Sequence, residues 1–310
     1  MTLQQILSLI FQGLTQAAFL SLVTMAIVLI FKTSFTTNFA QGMIATFSAY
    51  TVTSLFARTF TVNYPEASAV LLLLLSIFIG ILVGIIFGVL IDVFIIRKSK
   101  FSNAITKQMI TMGIILVIFG LLPVTFGLNM SAYTPKRLSE RVFEINVGGS
   151  VNLYLASHNL ISILITLVVL TFIFVMLKYT KWGLGVRATA SNETVASMMG
   201  VNTKRITAMS WGIAGGLGAL AAALYAPTIY TLGPDMMTPL QVNGFLAAIL
   251  GGFSSFGGPI VAAVIIPFAR VLAWQFISNT WANAIVYIMI LALILIKPVG
   301  LFGKKIAKKV

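Results

Sequence analysis

Proton chemistry in this 310-residue chain would have to come from one histidine, His158, and six carboxylates: Glu66, Asp92, Glu140, Glu144, Glu193 and Asp235. General acid–base catalysis needs two such groups converging on a reacting atom, and a metal needs a cluster of ligands. No two of these acids are placed for that work, and no His/Asp/Glu cluster suits a metal. There is no cysteine, which excludes disulfides, thiolate-held iron–sulfur clusters and cysteine zinc sites. An enzyme is therefore disfavoured. Asp92 is expected near the inner end of an apolar stretch, paired with Arg97 or snorkelling. His158 is expected as a polar anchor at the mouth of another stretch.

The remaining polar groups with a pattern are uncharged. Asn38-Phe39-Ala40-Gln41-Gly42 opens one apolar run, and Asn243-Gly244 precedes another that ends at Gly251-Gly252. Each places an asparagine at the start of a short apolar helix, a faint internal repeat of the kind that paired half-helices leave in transporters. Two readings stand: the asparagines cap helices, or Asn38, Gln41 and Asn243 line a pathway with amide dipoles. A third segment runs from Trp182 to Asn202. Ser191 or Asn192 can cap a short helix, Glu193 is favourable near its positive end, and Gly200 suits the stop. That helix presents Val195, Met198 and Met199. Methionine is pliable and suits docking in a groove of another protein; the alternative is a helix lying on the membrane or on the protein's own body.

The elements carrying these groups follow from composition. The chain is 59% hydrophobic and 8% charged, with mean hydropathy +1.05, against roughly 25% charged in soluble domains. That leaves too little polar surface for a body in water, so residues 1–310 read as a single transmembrane domain. A spanning helix needs about 20 apolar residues, and backbone in hydrocarbon must be paired internally. Spans are predicted at about 6–31, 38–57, 67–96, 105–128, 156–177, 206–228, 241–277 (interrupted) and 281–297. The expectation is an all-α polytopic integral membrane protein with about eight to nine transmembrane helices, some broken or half-length. Runs such as Val70 to Ser76 are apolar on both faces, unlike barrel strands. Gly80, Gly84 and Gly88 form a small-residue ridge for close helix approach. The N-terminus lacks the basic region and cleavage site of a signal peptide.

The net charge of +14 is not a nucleic-acid footprint. The basic residues cluster between spans: Arg97, Lys98 and Lys100; Lys178 and Lys181; Lys204 and Arg205; Lys304, Lys305, Lys308 and Lys309. These are marks of cytoplasmic loops beside anionic lipid. The turn near 97–107, the loop at 182–205 and the C-terminus are therefore placed inside. The segment 129–155, with Glu140, Glu144, Gly148 and Gly149, is placed outside, as are 229–240 and the N-terminus. Parity then requires two short crossings at about 241–253 and 260–277, broken by Gly251, Gly252, Gly257 and Gly258. The first, at about 20 Å, would be a half-helix buried in protein. Scarcity of acids in mid-span argues against a proton-coupled carrier, although backbone carbonyls can hold sodium.

The segment from Gly183 to Asn202 resembles the coupling loop of branched-chain amino acid ABC-transporter permeases. Residues 38–42 resemble the motif opening those proteins' second span, with Gln41 where the family often has histidine. Leu250-Gly251-Gly252 through Gly257-Gly258 is similar to their late glycine-rich turn, and Lys297-Pro298-Val299-Gly300-Leu301-Phe302-Gly303 to their ending. The order and spread of these motifs cover nearly the whole chain and look like the H-type subunit of an H/M heterodimer. The resemblance implies a second permease subunit of the homologous M-type, two cytoplasmic ATPases and an extracytoplasmic solute-binding protein. It implies ATPase coupling through Arg187, Asn192, Glu193, Ser197, Met198, Met199 and Gly200, and structural roles for Gly42, Gly251, Gly252, Gly257 and Gly258. The chain has no phosphate-binding loop of the G-x-x-x-x-G-K-[ST] type, so ATP and Mg belong to the partner ATPase and this chain binds no cofactor. The solute would be a branched-chain or other apolar amino acid, and the location a bacterial or archaeal inner membrane. The rivals are a passive channel or secondary transporter for a small neutral solute, and an ABC permease for sugar, nucleoside, urea or amide.

Overall fold

The computed structural model describes residues 3–99, 103–129, 133–146, 152–229 and 231–303. Lys100, Gly148, Gly149 and the C-terminal lysines from Lys304 onward lie outside the described residues. Six helices are long and apolar enough to cross a bilayer: α1 (Leu3–Ser34), α4 with the π-helical turn that follows it (Ala69–Ile96), α5 (Ala104–Phe126), α6 (Ser157–Tyr179), α9 (Thr203–Ile229) and α11 (Gly257–Phe276). Three shorter apolar helices complete the set: α2 (Gln41–Ser54), α10 (Thr238–Gly251) and α12 (Ala282–Ile296). A short turn, α3 (Thr61–Asn63), ends the α2 segment, and α7 (Lys181–Ser191) and α8 (Glu193–Met198) lie between α6 and α9. The architecture is an all-α polytopic membrane protein.

The two ends of the bundle are defined by contacts. Lys32 donates to Ser254 O, Thr36 lies at Ala104 O, and Thr207 reaches Thr33 O. The end of α1, the α4–α5 turn, the α10–α11 turn and the start of α9 therefore share one face, the basic one. His158 meets Leu224 and Leu138, and Arg58 meets Phe126, on the other face. Helix α1 is long, about 48 Å at 1.5 Å per residue, and it forms the centre with α9. Within their most apolar stretches α1 is 83% buried and α9 78%, against 22–28% for α4, α5 and α6. The latter three turn most of their surface outward, as helices facing lipid or another subunit do.

The two halves of the bundle are built alike but inverted. A long central helix is followed by a non-helical stretch and then a further helix: α1 leads to α2, and α9 leads to α10. Helix α9 packs on α2 and α4; α1 packs correspondingly on α10 and α11. The 14 residues of α10 rise about 21 Å, short of the roughly 30 Å hydrocarbon core. Helix α2 runs on unbroken through the π-helical turn Leu55–Phe60 and α3 to Asn63, so of the two only α10 is a half-helix.

Some expectations shift in detail. The span read at 38–57 becomes helical only at Gln41, because residues 38–40 form its extended entry. Helix α10 starts at Thr238 with Pro239 in its first turn, where proline's missing N–H costs nothing. Asn243 is therefore inside the helix and does not cap it. The loop between α5 and α6 contains a hairpin, with β1 (Val142–Asn146) antiparallel to β2 (Asn152–Ala156) and Glu144 opposite Tyr154. His158 is a buried staple, 2% exposed: its Nδ1 accepts from Leu138 N at 3.2 Å, so Nε2 carries the proton and donates to Leu224 O at 2.9 Å. The pairing of buried Asp92 with Arg97 is present.

The glycine ridge does what its spacing predicts. A Cβ on Gly84 would sit 2.6 Å from Gly215 O and 2.7 Å from Ala219 Cβ, so α4 and α9 cross backbone to backbone. The late glycine turn joins the chain's ending in one structure. Leu301 N donates to Leu250 O at 2.7 Å and Phe302 N to Gly251 O at 3.3 Å. Gly252, at φ +88°, lies under Val299 and Gly303, and Gly251 and Gly258 touch backbone to backbone. Gly257 is different: a Cβ there would meet open space, so no close approach requires it.

Candidate functional site

The first candidate region is the point where α2 and α10 meet. Gln241 reaches across from α10: its Oε1 accepts from Gly42 N, and its Nε2 donates to Phe39 O at 2.6 Å. Gln41 Nε2 donates to Ala214 O of α9 at 2.7 Å, and its Oε1 accepts from Asn38 Nδ2 at 3.2 Å. Asn38 Oδ1 accepts from Ala40 N at 3.0 Å, and Phe39 N donates to Thr111 Oγ1 of α5 at 3.1 Å. The Phe39 and Phe245 rings stack beside the node at 5.2 Å. Non-helical backbone survives at membrane depth only when its polar groups are paired inside protein, and side chains from α2, α5 and α10 do that here. Asn38 and Gln41 are each 1% exposed. In this conformation they bond the node together. Gly42 lies directly beneath the Gln241 carboxamide, and a Cβ there would collide with it.

Asn243 stands apart from that pair, two residues beyond Gln241 on α10, and lines a cavity. A narrow space of 50 Å³ holds Asn243, Gln16, Phe19, Tyr225 and Arg270. A wider one of 330 Å³ lies beside it, lined by Gln12, Gln16, Arg270, Trp274, Asn279 and Asn283. Gln16 and Arg270 border both. The wider one lies between α1, α11 and the start of α12, away from the basic face, and the narrow one between α1, α9, α10 and α11. Considering only the acids among ionisable residues passes over Arg270; an ionisable residue inside the predicted span 260–277 was the signal available for it. The bonding role of Gln241 has no such signal, since nothing in the sequence pairs it with Gly42.

The second region is the segment from α7 to the start of α9, on the basic face. Each of its helices has a side-chain cap. Thr180 Oγ1 accepts from Gly183 N at 3.1 Å, Asn192 Oδ1 from Val195 N at 3.1 Å, and Asn202 Oδ1 from Arg205 N at 3.0 Å. Of the two residues that could cap α8, Asn192 does so. Its far end is a Schellman stop: Val201 N donates to Ala196 O and Gly200 N to Ser197 O, both at 3.0 Å, with Gly200 at φ +85°. Helix α7 is pinned by Trp182 and Val186, both buried. In α8 only Ala196 turns inward; Met198 and Met199 are each 80% exposed, and Glu193, Ser197 and Gly200 are also at the surface.

Arg187 also makes contacts within the chain. Its guanidinium donates to Leu177 O and Lys178 O, closing the C-terminal end of α6 where a cation suits the free carbonyls. It orients α7 against α6. Glu193 borders a polar cleft of 190 Å³ shared with Asp92, Arg97, Lys107 and Lys204. Arg97 both pairs with Asp92 and donates to Lys204 O at 2.6 Å. The segment is thus a capped, rigid element seated on α1, α6 and α9, with an apolar methionine pair facing away from the body. It can transmit displacement; it holds no reacting group.

Residues 9–295 match the family described as "Branched-chain amino acid transport system / permease component". The high-affinity branched-chain amino acid transport system permease protein LivH of Escherichia coli (strain K12) is 24% identical over 147 residues, 47% of this chain and 48% of that protein. The probable branched-chain amino acid transport permease protein LivH of Methanocaldococcus jannaschii is 25% identical over 150 residues, 46% and 47% of the two chains. The xylose/arabinose import permease protein XylH of Sulfolobus acidocaldarius is 34% identical over 90 residues, 29% of this chain and 25% of that one. The chain spans about half the length of the first two relatives.

Proposed function

The chain belongs to the family of branched-chain amino acid transport permease components, and from that premise we propose that it is the H-type membrane subunit of an ATP-binding-cassette importer. It moves a branched-chain or other apolar amino acid across a bacterial or archaeal inner membrane. Its partners are a homologous M-type permease, two cytoplasmic ATPases that bind ATP and Mg, and an extracytoplasmic solute-binding protein. ATPase closure pushes on α8, and the rigid segment between α6 and α9 passes that movement to both helices, so that the bundle alternates between outward and inward openings.

One observation carries this reading: a triply capped element holds Met198 and Met199 at 80% exposure on the basic face. A floppy loop would dissipate a push, whereas this one cannot bend without losing its caps. A charge in place of either methionine would be buried in an apolar groove, costing about 2 kcal/mol or more, roughly 30-fold in affinity. The experiment copurifies the ATPases, expressed with the neighbouring gene products, on wild-type and Met198→Asp chain and measures leucine uptake. Loss of both with normal membrane insertion is expected. Unchanged association and full uptake refute the reading.

A second reading, import of a neutral sugar-like solute, rests on the similarity to XylH. Competition of leucine uptake by xylose, measured on the assembled transporter, separates the two.

A further inference from the structure

We propose that Arg270, with the carboxamides of Gln16 and Asn243, forms an anion subsite in the outer half of the membrane that receives the carboxylate of the transported solute. The assignment to a solute rests on the import reading above; the subsite itself does not. Arg270 is the one charged residue between Asp235 and Lys297. It lies six residues before the outer end of α11 at Phe276, about 9 Å below that end. A guanidinium at that depth is costly against lipid, so such residues face cavities or partners. Arg270 faces both outer cavities, the 330 Å³ one and the narrow one leading to Asn243.

Among the described residues Arg270 makes no ion pair or hydrogen bond. The acids of the outer loop are engaged elsewhere: Glu140 pairs with Lys136 at 3.1 Å and Glu144 accepts from Tyr154. No acid lines either cavity, so a cation entering would meet one positive charge and nothing to offset it. A neutral polyol could bond the amides but would leave the guanidinium uncompensated. A carboxylate satisfies it through paired N–H donors, the geometry for which arginine is suited. Amide groups beside it can hold the rest of a zwitterion. The walls beyond are apolar: Phe19 and Tyr225 meet edge to face at 5.7 Å, next to Leu20 and Ile266. A small carboxylic acid with an apolar side chain fits that order of surfaces.

The absence of cysteine allows a direct test on the whole chain in phosphatidylcholine vesicles. A reporter thiol is introduced as Asn279→Cys at the mouth of the wider cavity, and its labelling by anionic and cationic methanethiosulfonates of similar size is timed. The expected result is a preference of about tenfold for the anionic reagent, retained with Arg270→Lys and reduced to near parity with Arg270→Gln. Millimolar isovalerate should slow labelling, and isoamylamine should not. Equal reagent ratios with and without Arg270→Gln, or equal protection by both probes, overturn the subsite. A preference abolished by adding phosphatidylglycerol to the vesicles assigns the arginine to a lipid phosphate and overturns the solute assignment. The labelling is read without the ATPases, so it stands or falls separately from the Met198→Asp result.

Discussion

Replacing Gln241 by leucine removes one side chain and leaves two backbone groups without partners. Gly42 N loses its acceptor and Phe39 O its donor. Both lie at the start of α2, where it packs between α5, α9 and α10. A buried backbone group left unpaired costs about 1–3 kcal/mol, so the pair predicts roughly 2–6 kcal/mol. Side-chain hydrogen bonds between membrane helices average only about 0.6 kcal/mol, because the alternative states find partners too; on that scale two bonds would be worth about 1.2 kcal/mol. The two estimates are far enough apart to be separated. The assay is unfolding by SDS titration in mixed micelles, comparing wild type, Gln241→Leu and Gln16→Leu. Gln16 lines the outer cavities and makes no hydrogen bond among the described residues, so the same change there should stay within about 0.5 kcal/mol. A loss of at least ~2 kcal/mol is expected for Gln241→Leu. A loss under about 1 kcal/mol would mean that the α2–α10 junction is held by packing, and that the pairing argument is wrong.

Three further outcomes are expected. Gly84→Leu should lower the melting temperature of the detergent-solubilised chain, since its Cβ would start 2.6 Å from Gly215 O and overpacking costs about 1–3 kcal/mol; Gly113→Leu, with open space around it, should not, and equal melting of both would contradict the helix crossing. Gly200→Val forces a β-branched residue to φ +85° at a cost of about 1–3 kcal/mol, so ATPase copurification should weaken while membrane insertion is unchanged. Single cysteines at Ser99 and Ser191 should resist an impermeant thiol reagent in intact cells, and one at Tyr154 should react; labelling of Ser191 from outside would reverse the orientation.

Sequence patterns with a local cause were legible. The caps and stop of α8 need only Asn192, Glu193 and Gly200, residues that act on backbone within a few positions of themselves. The α4 ridge could be read from Gly80, Gly84 and Gly88 because helical periodicity puts them on one face. The half-length of α10 followed from charge parity. Pairings across the fold were not legible. Gln241 is an ordinary polar residue until α2 is brought against it, and Arg187 resembles an outward-facing contact until α6 ends beside it. Asn38 and Gln41 share amide chemistry with Asn243, yet helix packing closes the first two into a bonded node and leaves the third on a cavity wall. Hydrophobicity cannot distinguish these cases, because all three sit at the ends of equally apolar runs. The hairpin of Val142–Asn146 and Asn152–Ala156 is hidden for a related reason: its strands are short, and an alternating pattern of five residues carries little signal.

The meeting of α2 and α10 also bears on how the protein is made. Gly42 and its acceptor on Gln241 are separated by 199 positions, so at ~5–20 residues per second the ribosome completes the second about 10–40 s after the first. During that interval the entry to α2 has no Gln241 to pair with, and the α9 carbonyl that binds Gln41 has not been made either. The junction of α2 with α9 and α10 therefore closes only after the second half of the chain has been made, and the entry to α2 is the last part of the first half to reach its final bonding.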